Sequence, residues 1–449
     1  MGYLTRQLGL RDYGRYALTI LLSSWIGIAI GAMSGGATIR LVAGSLNGRR
    51  YAVTTIQLVT IYAVTAGALL GLGADRLAHW VEEPQIAPIL RIMALNVPVA
   101  ALTGIYTALL TAQGRSGMLA FYAATGLPVQ LAMVLLLVGR GWGIYGAAYA
   151  ILISSSVQLV LGFGLTGISP FTSQRVSFRQ LWSETRLQAG TQFVIRIIEG
   201  IDLILVKIFL TSPSIAGLYA GAQNIGLASV MLFNPSSGIV IQSLSKSILH
   251  ERPQERNHTA TAYLRVALIY GGLLVAFSGL ADRIVLFLLG EGFQSSSEVV
   301  MILLWAGAFR IASVAGRTLV FSAGKKLSAL PSLLSLLVAG ILAYAIVLPR
   351  YGATGGAMVT AAVSLVLAVM TLRDGTILTG INFPWLTLLR VLIATAATTL
   401  LALYLRNFGI SVLWLLTFTA AAYAAILIIF REWTPKRGNF KIFLTACRS

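Results

Sequence analysis

The feature that most constrains this chain is a succession of apolar segments, each long enough to cross a lipid bilayer. The chain has 449 residues, of which 57% are hydrophobic and only 10% are charged. Soluble domains carry about 25% charged residues, and a soluble fold could not bury so much apolar surface. In lipid, every backbone polar group needs a partner within a helix or a closed barrel, and segments of roughly 20 residues without strand alternation form helices. The sequence therefore predicts an all-α polytopic membrane protein with thirteen spans, at about 14–39, 51–74, 86–112, 117–139, 143–168, 189–211, 215–245, 261–289, 298–323, 327–348, 352–372, 385–405 and 410–430.

Basic and acidic residues are distributed unequally between alternate loops. A net charge of +19 could indicate a nucleic-acid partner, but the basic residues lie mainly in short loops between the apolar segments. Alternate loops differ in sign: one set carries most of the Lys and Arg, including Arg49 and Arg50, and the other carries Asp75, Glu82 and Glu83. Basic loops stay in the cytoplasm. We therefore expect these loops and the basic C-terminal tail in the cytoplasm, Glu82 and Glu83 solvated on the outer side, and no nucleic-acid partner.

Cofactor chemistry has little support in the sequence. Cys447 is the only cysteine, which excludes an intramolecular disulfide and a cysteine-based metal cluster. His79, His250 and His258 fall in predicted loops, and no His, Asp or Glu group has the spacing of zinc ligands. We expect no metal or organic cofactor.

An internal repeat relates the two halves of the chain. Residues 143–148 (GIYGAA) open one apolar segment and residues 352–357 (GATGGA) open another, each after an apolar segment and a short basic turn. Residues 14–17 (GRYA) similarly resemble residues 217–220 (GLYA). Duplicated apolar halves are typical of secondary transporters. We interpret the repeat glycines as packing positions that let helices approach closely, and not as ligand contacts.

The same alignment predicts that the first repeat lacks one helix. Residues 4–6 (LTR) align with residues 205–207 (LVK), the end of the 189–211 span, so the chain begins at the tail of a helix whose body is absent. An odd number of spans would also place Arg6, Arg11 and Arg15 outside, against the charge rule. The alternative is a native thirteen-helix protein. With the helix restored, each lobe has six helices, both lobes have the same orientation, and two further helices follow.

This organisation predicts four parts. They are an N-terminal lobe at 1–168, a cytoplasmic linker at 169–188, a C-terminal lobe at 189–380, and two extra helices with a basic tail at 381–449.

The layout resembles the polysaccharide flippases of the multidrug/oligosaccharidyl-lipid/polysaccharide exporter superfamily, notably the O-antigen and capsule types. The resemblance covers nearly the whole chain and is carried by residues 8–17 (LGLRDYGRYA), 201–202 (ID) through 217–220, Asn234-Pro235 and the two glycine repeats. It implies a bacterial inner-membrane flippase, not an enzyme, that moves an undecaprenyl-pyrophosphate-linked oligosaccharide outward by alternating access. It also implies coupling to Na⁺ or H⁺, as in an antiporter, and membrane lipids, a glycan polymerase and glycosyltransferases as partners.

Arginines within the spans are the candidate substrate ligands. An ionised side chain at mid-membrane costs about 2.5–3.5 kcal/mol on insertion scales, so it faces a cavity or a partner. Arg310, Ser313 and Arg317 share one face of a predicted helix, and Arg196 lies on another span. Arginine can grip two phosphate oxygens and stays charged when partly desolvated. We expect a cationic cavity for pyrophosphate or acidic sugars; the candidate residues are Arg310, Arg317, Arg196, Arg91 and Arg40. The alternative is that Arg196 pairs with Glu199 and that Arg91 and Arg317 extend to a membrane interface.

Glu199 and Asp202 lie inside the 189–211 segment and are the candidate ion-coupling groups. A carboxylate there can bind Na⁺ or exchange a proton. The alternative is neutralisation by Arg196 or Lys207. Asn234-Pro235 is expected to break its helix, because proline removes a backbone hydrogen bond.

Two other classes of function remain. A multidrug exporter of the same superfamily would favour an acidic cavity for cationic drugs. A polytopic glycan ligase or polymerase would need a large outer loop or an acidic catalytic group, and the outer loops here are short.

Overall fold

The computed structural model describes residues 2–32, 48–168, 178–249, 253–323, 330–408 and 410–432, together with Ile39 and Val42. These residues form helices and turns, with no β-strand among them. The helices are α1 (Gly2–Ala32), α2 (Gly48–Trp80), α3 (Ala87–Ala112), α4 (Ser116–Leu137), α5 (Gly143–Thr166), α6 (Phe178–Leu210), α7 (Pro213–Leu249), α8 (Pro253–Phe277), α9 (Ala281–Leu288), α10 (Ser297–Ser322), α11 (Leu330–Thr379), α12 (Trp385–Leu405) and α13 (Val412–Ile429).

Nine helical stretches of the described residues are long and apolar enough to cross a membrane. Two of them, Gly117–Thr166 and Leu330–Thr379, have 50 residues each, and one crossing takes roughly 20. The all-α multi-pass prediction is therefore confirmed. The count of thirteen spans is not confirmed: α1 and α6 are not among the nine, and α6 carries four charged residues between Arg196 and Lys207.

The glycine repeats divide these long stretches. Gly143 has φ +50° and Gly352 has φ +58°, a backbone conformation that favours glycine, and each ends one helical stretch and begins the next. A Cβ at either glycine would meet no atom within 4 Å, so the prediction that these two are packing positions is wrong. The second glycine of each repeat does pack closely: a Cβ at Gly146 would lie 3.1 Å from the Leu137 carbonyl carbon, and one at Gly355 would lie 2.8 Å from Val347 Cγ1. Each repeat is therefore a break between two helical stretches, and both breaks are built in the same way.

The chain forms two compact units. The first unit comprises Leu4–Gly217 and Ser328–Leu337, and the second comprises Met1–Tyr3, Leu218–Leu327 and Val338–Ser449. Helix α6 belongs to the first unit, and it begins at Phe178, so the second half of the expected linker is helical. The division into lobes at 1–168 and 189–380 stays a prediction.

Helix α7 runs from Pro213 to Leu249 through Pro235 without interruption, so the expected break at Asn234-Pro235 is wrong. Hydroxyl groups accompany the proline: Ser236 donates to the Phe233 carbonyl and Ser237 donates to the Asn234 carbonyl, both at 2.6 Å. Neighbouring serines and helices commonly compensate for a proline in a membrane helix.

Small residues and buried hydroxyls hold the first unit together. In lipid, helices associate through close packing and hydrogen bonds, because the solvent itself is apolar. Gly162 lies against the Tyr106 side chain, where a Cβ would be 2.7 Å from Tyr106 Cβ, and Ser154 donates to the Gly126 carbonyl at 2.9 Å. These contacts join α5 to α3 and to α4.

The second unit has its core where α7, α8 and α10 meet, around Phe233, Leu264, Ile311 and Leu319. A hydroxyl network ties α7 to both parts of α11. Tyr219 and Tyr344 each lie with their hydroxyl 2.8 Å from Thr360 Oγ1, and the Thr360 hydroxyl lies 3.0 Å from the Gly356 carbonyl. All three side chains are buried, so the two repeat motifs of the second half meet in this network.

The two C-terminal helices pack onto α8. Val391 and Ala394 of α12 form a buried cluster with Tyr423 and Leu427 of α13, and α8 residues cover it. Tyr423 donates to the Ile269 carbonyl at 2.9 Å, and Thr395 donates to the Gly272 carbonyl at 3.3 Å. Helices α12 and α13 are therefore fastened along α8 within the second unit.

Candidate functional site

The arginine face of α10 is buried. Arg310 is 4% exposed, Ser313 is fully buried and Arg317 is 7% exposed. They lie three and four residues apart on one side of the helix, as their spacing predicts. Within the candidate spans, α10 lies in the stretch with the largest buried share, 67% against 56% for the next. Arg310 and Arg317 are therefore both enclosed by protein.

Close backbone contacts keep this face in place. A Cβ at Gly316 would lie 2.5 Å from the Thr371 carbonyl carbon, and one at Gly375 would lie 2.8 Å from the Gly316 oxygen. The Thr371 hydroxyl donates to Ser313 Oγ at 3.3 Å, beside the same contact. The backbone of α10 at Gly316 thus contacts the backbone of α11 between Thr371 and Gly375. This contact leaves the arginine face little freedom to shift.

An aromatic stack lies beside Arg317. The Phe233 ring stacks on Tyr263 with centroids 5.5 Å apart and on Tyr270 with centroids 5.9 Å apart. The Tyr263 hydroxyl is 3.4 Å from Oγ1 of Thr318, the residue after Arg317. Helices α7, α8 and α10 therefore meet in this buried group.

Arg196 and Glu199 lie together on α6. Arg196 Nη1 is 3.2 Å from Glu199 Oε2, with the Arg196 side chain 43% exposed and the Glu199 side chain 11% exposed. The structure therefore shows the pairing of Arg196 with Glu199 that the alternative predicts. Arg196 is the more exposed partner of this pair, and Glu199 is mostly buried.

Asp202 is fully buried on the same helix. One of its carboxylate oxygens accepts the backbone N–H of Leu203 at 3.0 Å. Lys207, one of the two neutralising partners in the alternative, lies with its ammonium 3.5 Å from Glu83 Oε1. Among the acidic candidates, Asp202 is thus the one that protein encloses, and Glu199 is the one with a partly exposed partner.

Arg91 is separate from the other candidates. Its Nη2 forms an ion pair with Asp75 Oδ2 at 2.7 Å, and both side chains are more than half exposed. Arg91 belongs to the first unit, whereas Arg310 and Arg317 belong to the second. Arg40 lies outside the described residues. The site assignments for Arg310, Arg317, Arg196, Arg91 and Arg40 therefore stay predictions, with the strongest enclosure at Arg310 and Arg317.

The prediction that Glu83 is solvated is wrong. Its side chain is only 8% exposed, and its Oε2 accepts a hydrogen bond from Arg15 Nε at 3.1 Å. Arg15, which looks like a misplaced loop charge in the sequence, is itself buried and also pairs with Asp12 at 3.0 Å. Its position on the wrong side for the charge rule was the signal that could have indicated a buried partner.

Another buried carboxylate, Glu432, lies just after the end of α13. The Glu432 side chain is 3% exposed; Arg390 Nη1 donates to it at 2.6 Å, the Thr387 hydroxyl also donates, and Arg265 Nε is 3.8 Å away. Burial by itself raises the pKa of Glu432, but the hydrogen bonds from Thr387 and Arg390 and the two guanidinium charges outweigh it. The pKa of Glu432 is therefore lowered. This group joins α8, α12 and α13 at one end of the second unit.

Metal binding has no support in the described residues, where no group of three His, Cys, Asp or Glu side chains could hold an ion.

The fold is that of flippases and exporters. Over 96% of this chain and 98% of the other, it superposes on the structure "Lipid II flippase MurJ, inward closed conformation" with a TM-score of 0.69 at 16% identity. A multidrug resistance MATE family transporter of the MOP superfamily, in an inward-facing conformation, matches 85% of this chain and 95% of its own at TM-score 0.65 and 14% identity. A MOP superfamily transporter from Pyrococcus furiosus, described as having a binding pocket of reverse polarity, matches 84% of this chain and 90% of its own at TM-score 0.66 and 14% identity.

The family is given by sequence. The profile described as "Polysaccharide biosynthesis protein" matches residues 3–298, about two thirds of the chain. The chain belongs to this family, and it is a multi-pass membrane protein with the fold shared by MurJ and the MATE transporters. No curated protein matches the sequence significantly.

Proposed function

We propose that this protein is a flippase that carries an undecaprenyl-pyrophosphate-linked oligosaccharide, such as an O-antigen, capsule or exopolysaccharide unit, across the bacterial inner membrane. The observation that carries the proposal is the enclosed Arg310–Ser313–Arg317 face in a member of a polysaccharide biosynthesis family. Two arginines on one helix face suit a pyrophosphate, because each planar guanidinium can donate two parallel hydrogen bonds to phosphate oxygens.

Alternating access is the mechanism that fits this fold class. The glycan and the pyrophosphate would pass through a polar interior while the lipid tail stays in the bilayer. No bond is made or broken, so the protein acts as a transporter and not as an enzyme. Its partners are then the lipid-linked oligosaccharide, membrane lipids, and the glycosyltransferases and polymerase that supply and consume the oligosaccharide.

The coupling ion would act at α6. Asp202 is enclosed by protein, and Glu199 is mostly buried beside Arg196. A carboxylate in such surroundings can bind Na⁺, or take up a proton when it is desolvated. We propose these two residues as the groups that couple transport to an ion gradient.

The test is export by variants of the arginine face. Arg310→Ala and Arg317→Ala should each abolish glycan export in a strain whose own flippase is deleted, whereas the protein should still reach the membrane at normal levels. Arg310→Lys should restore only part of the activity, because lysine keeps the charge but loses the fork. Arg373→Ala is the matched control, since Arg373 is an exposed arginine on the neighbouring α11. Export at wild-type levels by both alanine variants would exclude this function for the face.

The alternative is a multidrug exporter, favoured by the structural likeness to the MATE transporter. That class of protein exports cations, and Arg310 and Arg317 would repel a cationic substrate. A drug-susceptibility profile of an expressing strain separates the two: resistance to cationic drugs without any effect on surface glycan would support the exporter.

A further inference from the structure

Three elements that are distant in sequence meet at one buried carboxylate. Glu83 lies in the turn after α2, Arg15 lies on α1, and Lys207 lies near the end of α6. Arg15 Nε is 3.1 Å from Glu83 Oε2 and Lys207 Nζ is 3.5 Å from Glu83 Oε1, so each carboxylate oxygen serves one cation. The side chains are 9%, 8% and 2% exposed for Arg15, Glu83 and Lys207. All three belong to the first unit.

The backbone on both sides of this ion cluster adopts an uncommon conformation. Three non-glycine residues of the described chain have positive φ, and two of them adjoin the cluster: Glu82 at +57° and Thr211 at +51°. Glu82 precedes Glu83, and the Thr211 carbonyl accepts from Lys207 Nζ at 3.2 Å. Such conformations persist only where the surroundings hold them.

At the end of another helix, a glycine takes the equivalent positive-φ position. After α3, Gly114 has φ +70°, its N–H donates to Thr111, and the next N–H donates to Leu110. After α2 the same two bonds form, from Glu82 to His79 and from Glu83 to Ala78, but without the glycine that this motif prefers. The turn that directs Glu83 inward is therefore held at a conformational cost.

The charges of the ion cluster suit a contact between helices that separates and re-forms better than a permanent one. Apolar side chains of similar volume would hold three helices at least as well, because a buried ion pair hardly repays the loss of hydration of its charges. Charges differ in what happens on separation: once water enters, all three are solvated and the open state is also stable. The cluster lies at the end of α2 opposite to the basic loops. The charge rule places this end outside.

We propose that Arg15, Glu83 and Lys207 form a latch that keeps the outer end of α6 against α1 and the α2–α3 turn in the present state, and that the latch opens during the transport cycle. This inference rests on the alternating access proposed above. It assigns a conformational role to Glu83 and to Lys207, which lie outside the arginine face.

The test measures opening directly, without any transported substrate. The background is Cys447→Ser with a reporter cysteine at Ala78→Cys, a fully buried position whose carbonyl accepts the Glu83 N–H. A membrane-impermeant maleimide applied from outside should modify this cysteine slowly in the parent and about tenfold faster after Glu83→Gln, since the open population rises when the shared carboxylate loses its charge. Lys207→Gln should have the same effect, and Lys207→Arg should leave the rate near that of the parent.

The matched control is Glu82→Gln, an exposed neighbour with the same chemistry. A second reporter, Ala394→Cys, is fully buried on α12 in the other unit and should stay protected in every variant. Equal rates at position 78 for Glu83→Gln and Glu82→Gln would overturn the latch. Exposure of both reporters to the same degree would overturn it as well, because Glu83 would then only support the fold. Neither result depends on whether Arg310 and Arg317 are needed for export.

Discussion

At the scale of single residues, Gly316 shows how the buried arginine face is kept in register. Its missing side chain lets the backbone of α11 come so close that a Cβ would lie 2.5 Å from the Thr371 carbonyl carbon and 2.6 Å from the Leu372 nitrogen. Real Cβ atoms do not approach other atoms below 3.0 Å, so any larger residue must push α10 and α11 apart. Arg317 is the next residue and would move with them.

We expect Gly316→Ala to destabilise the protein by about 2 kcal/mol, the usual cost of overpacking a close contact. Glycan export should fall with it, because the arginine face shifts. The measurement is thermal unfolding of the purified protein in detergent, combined with the export assay. Gly164→Ala is the control: Gly164 is an exposed glycine in α5, and a Cβ there meets no atom within 4 Å. That change should be neutral or slightly stabilising, by about 0.5–1 kcal/mol. A stable Gly316→Ala protein would contradict the contact.

Residue spacing predicted which residues share a helix face, but it could not predict that Glu83 is buried in a turn. The i, i+3, i+7 pattern of Arg310, Ser313 and Arg317 placed them on one face because helical geometry is periodic, and that face is buried. Glu83 follows the end of α2, where no period applies, and its neighbour Glu82 is exposed. Two adjacent glutamates therefore have opposite environments, for a reason that lies in the turn conformation and in a partner 68 residues away.

At the scale of helices, Glu432 decides how α12 and α13 are attached. The carboxylate accepts from Thr387 and Arg390 at the start of α12 and has Arg265 of α8 beside it. The lowered pKa of Glu432 means that the folded protein favours the ionised form more than the unfolded chain does. Its contribution to stability is therefore complete above the ordinary value of 4.5 and is lost as the pH falls from there through the folded pKa.

We expect Glu432→Gln to lower the stability by about 2 kcal/mol at neutral pH, because the hydrogen bonds to a charged group are weakened and two guanidinium groups lose their counter-charge. The difference from the parent should shrink as the pH drops below about 4.5 and the parent's own Glu432 becomes protonated. Thermal unfolding across a pH series measures this. Glu291→Gln, at an exposed glutamate, should unfold like the parent throughout. A difference between Glu432→Gln and the parent that does not depend on pH would show that the charge is not what matters.

Helical elements were the most predictable part of the chain. Each of the thirteen apolar segments overlaps a helix where the residues are described, because hydropathy over about 20 residues reflects the solvent that the helix meets. Prolines and glycines were predicted less well. Pro235 lies inside an uninterrupted α7, whereas Gly143 and Gly352 interrupt the helical path, since positive φ breaks a helix and a compensated proline need not.

At the scale of the whole molecule, orientation in the membrane follows from the loop charges. We expect the tail after α13 to be cytoplasmic and the turn between α12 and α13 to be outside. Green fluorescent protein fused after residue 432 should fluoresce, and alkaline phosphatase fused after residue 408 should be active, because the first folds in the cytoplasm and the second only outside it. Each reporter at the other site is the control and should be silent. The reverse pattern would invert the topology and put the latch residues in the cytoplasm.

The sequence by itself determined that this is a helical membrane protein with an internal repeat, and its likeness to polysaccharide flippases agrees with the family that the profile match shows. Those properties depend on hydropathy and on local spacing, which each segment carries independently of its neighbours. Only the tertiary structure decided which charges are buried together: Arg15 with Glu83 and Lys207, Arg390 with Glu432, and Arg91 with Asp75 in the open. An ion pair needs two groups within about 4 Å, and residues far apart in the chain reach that distance only when the helices have packed.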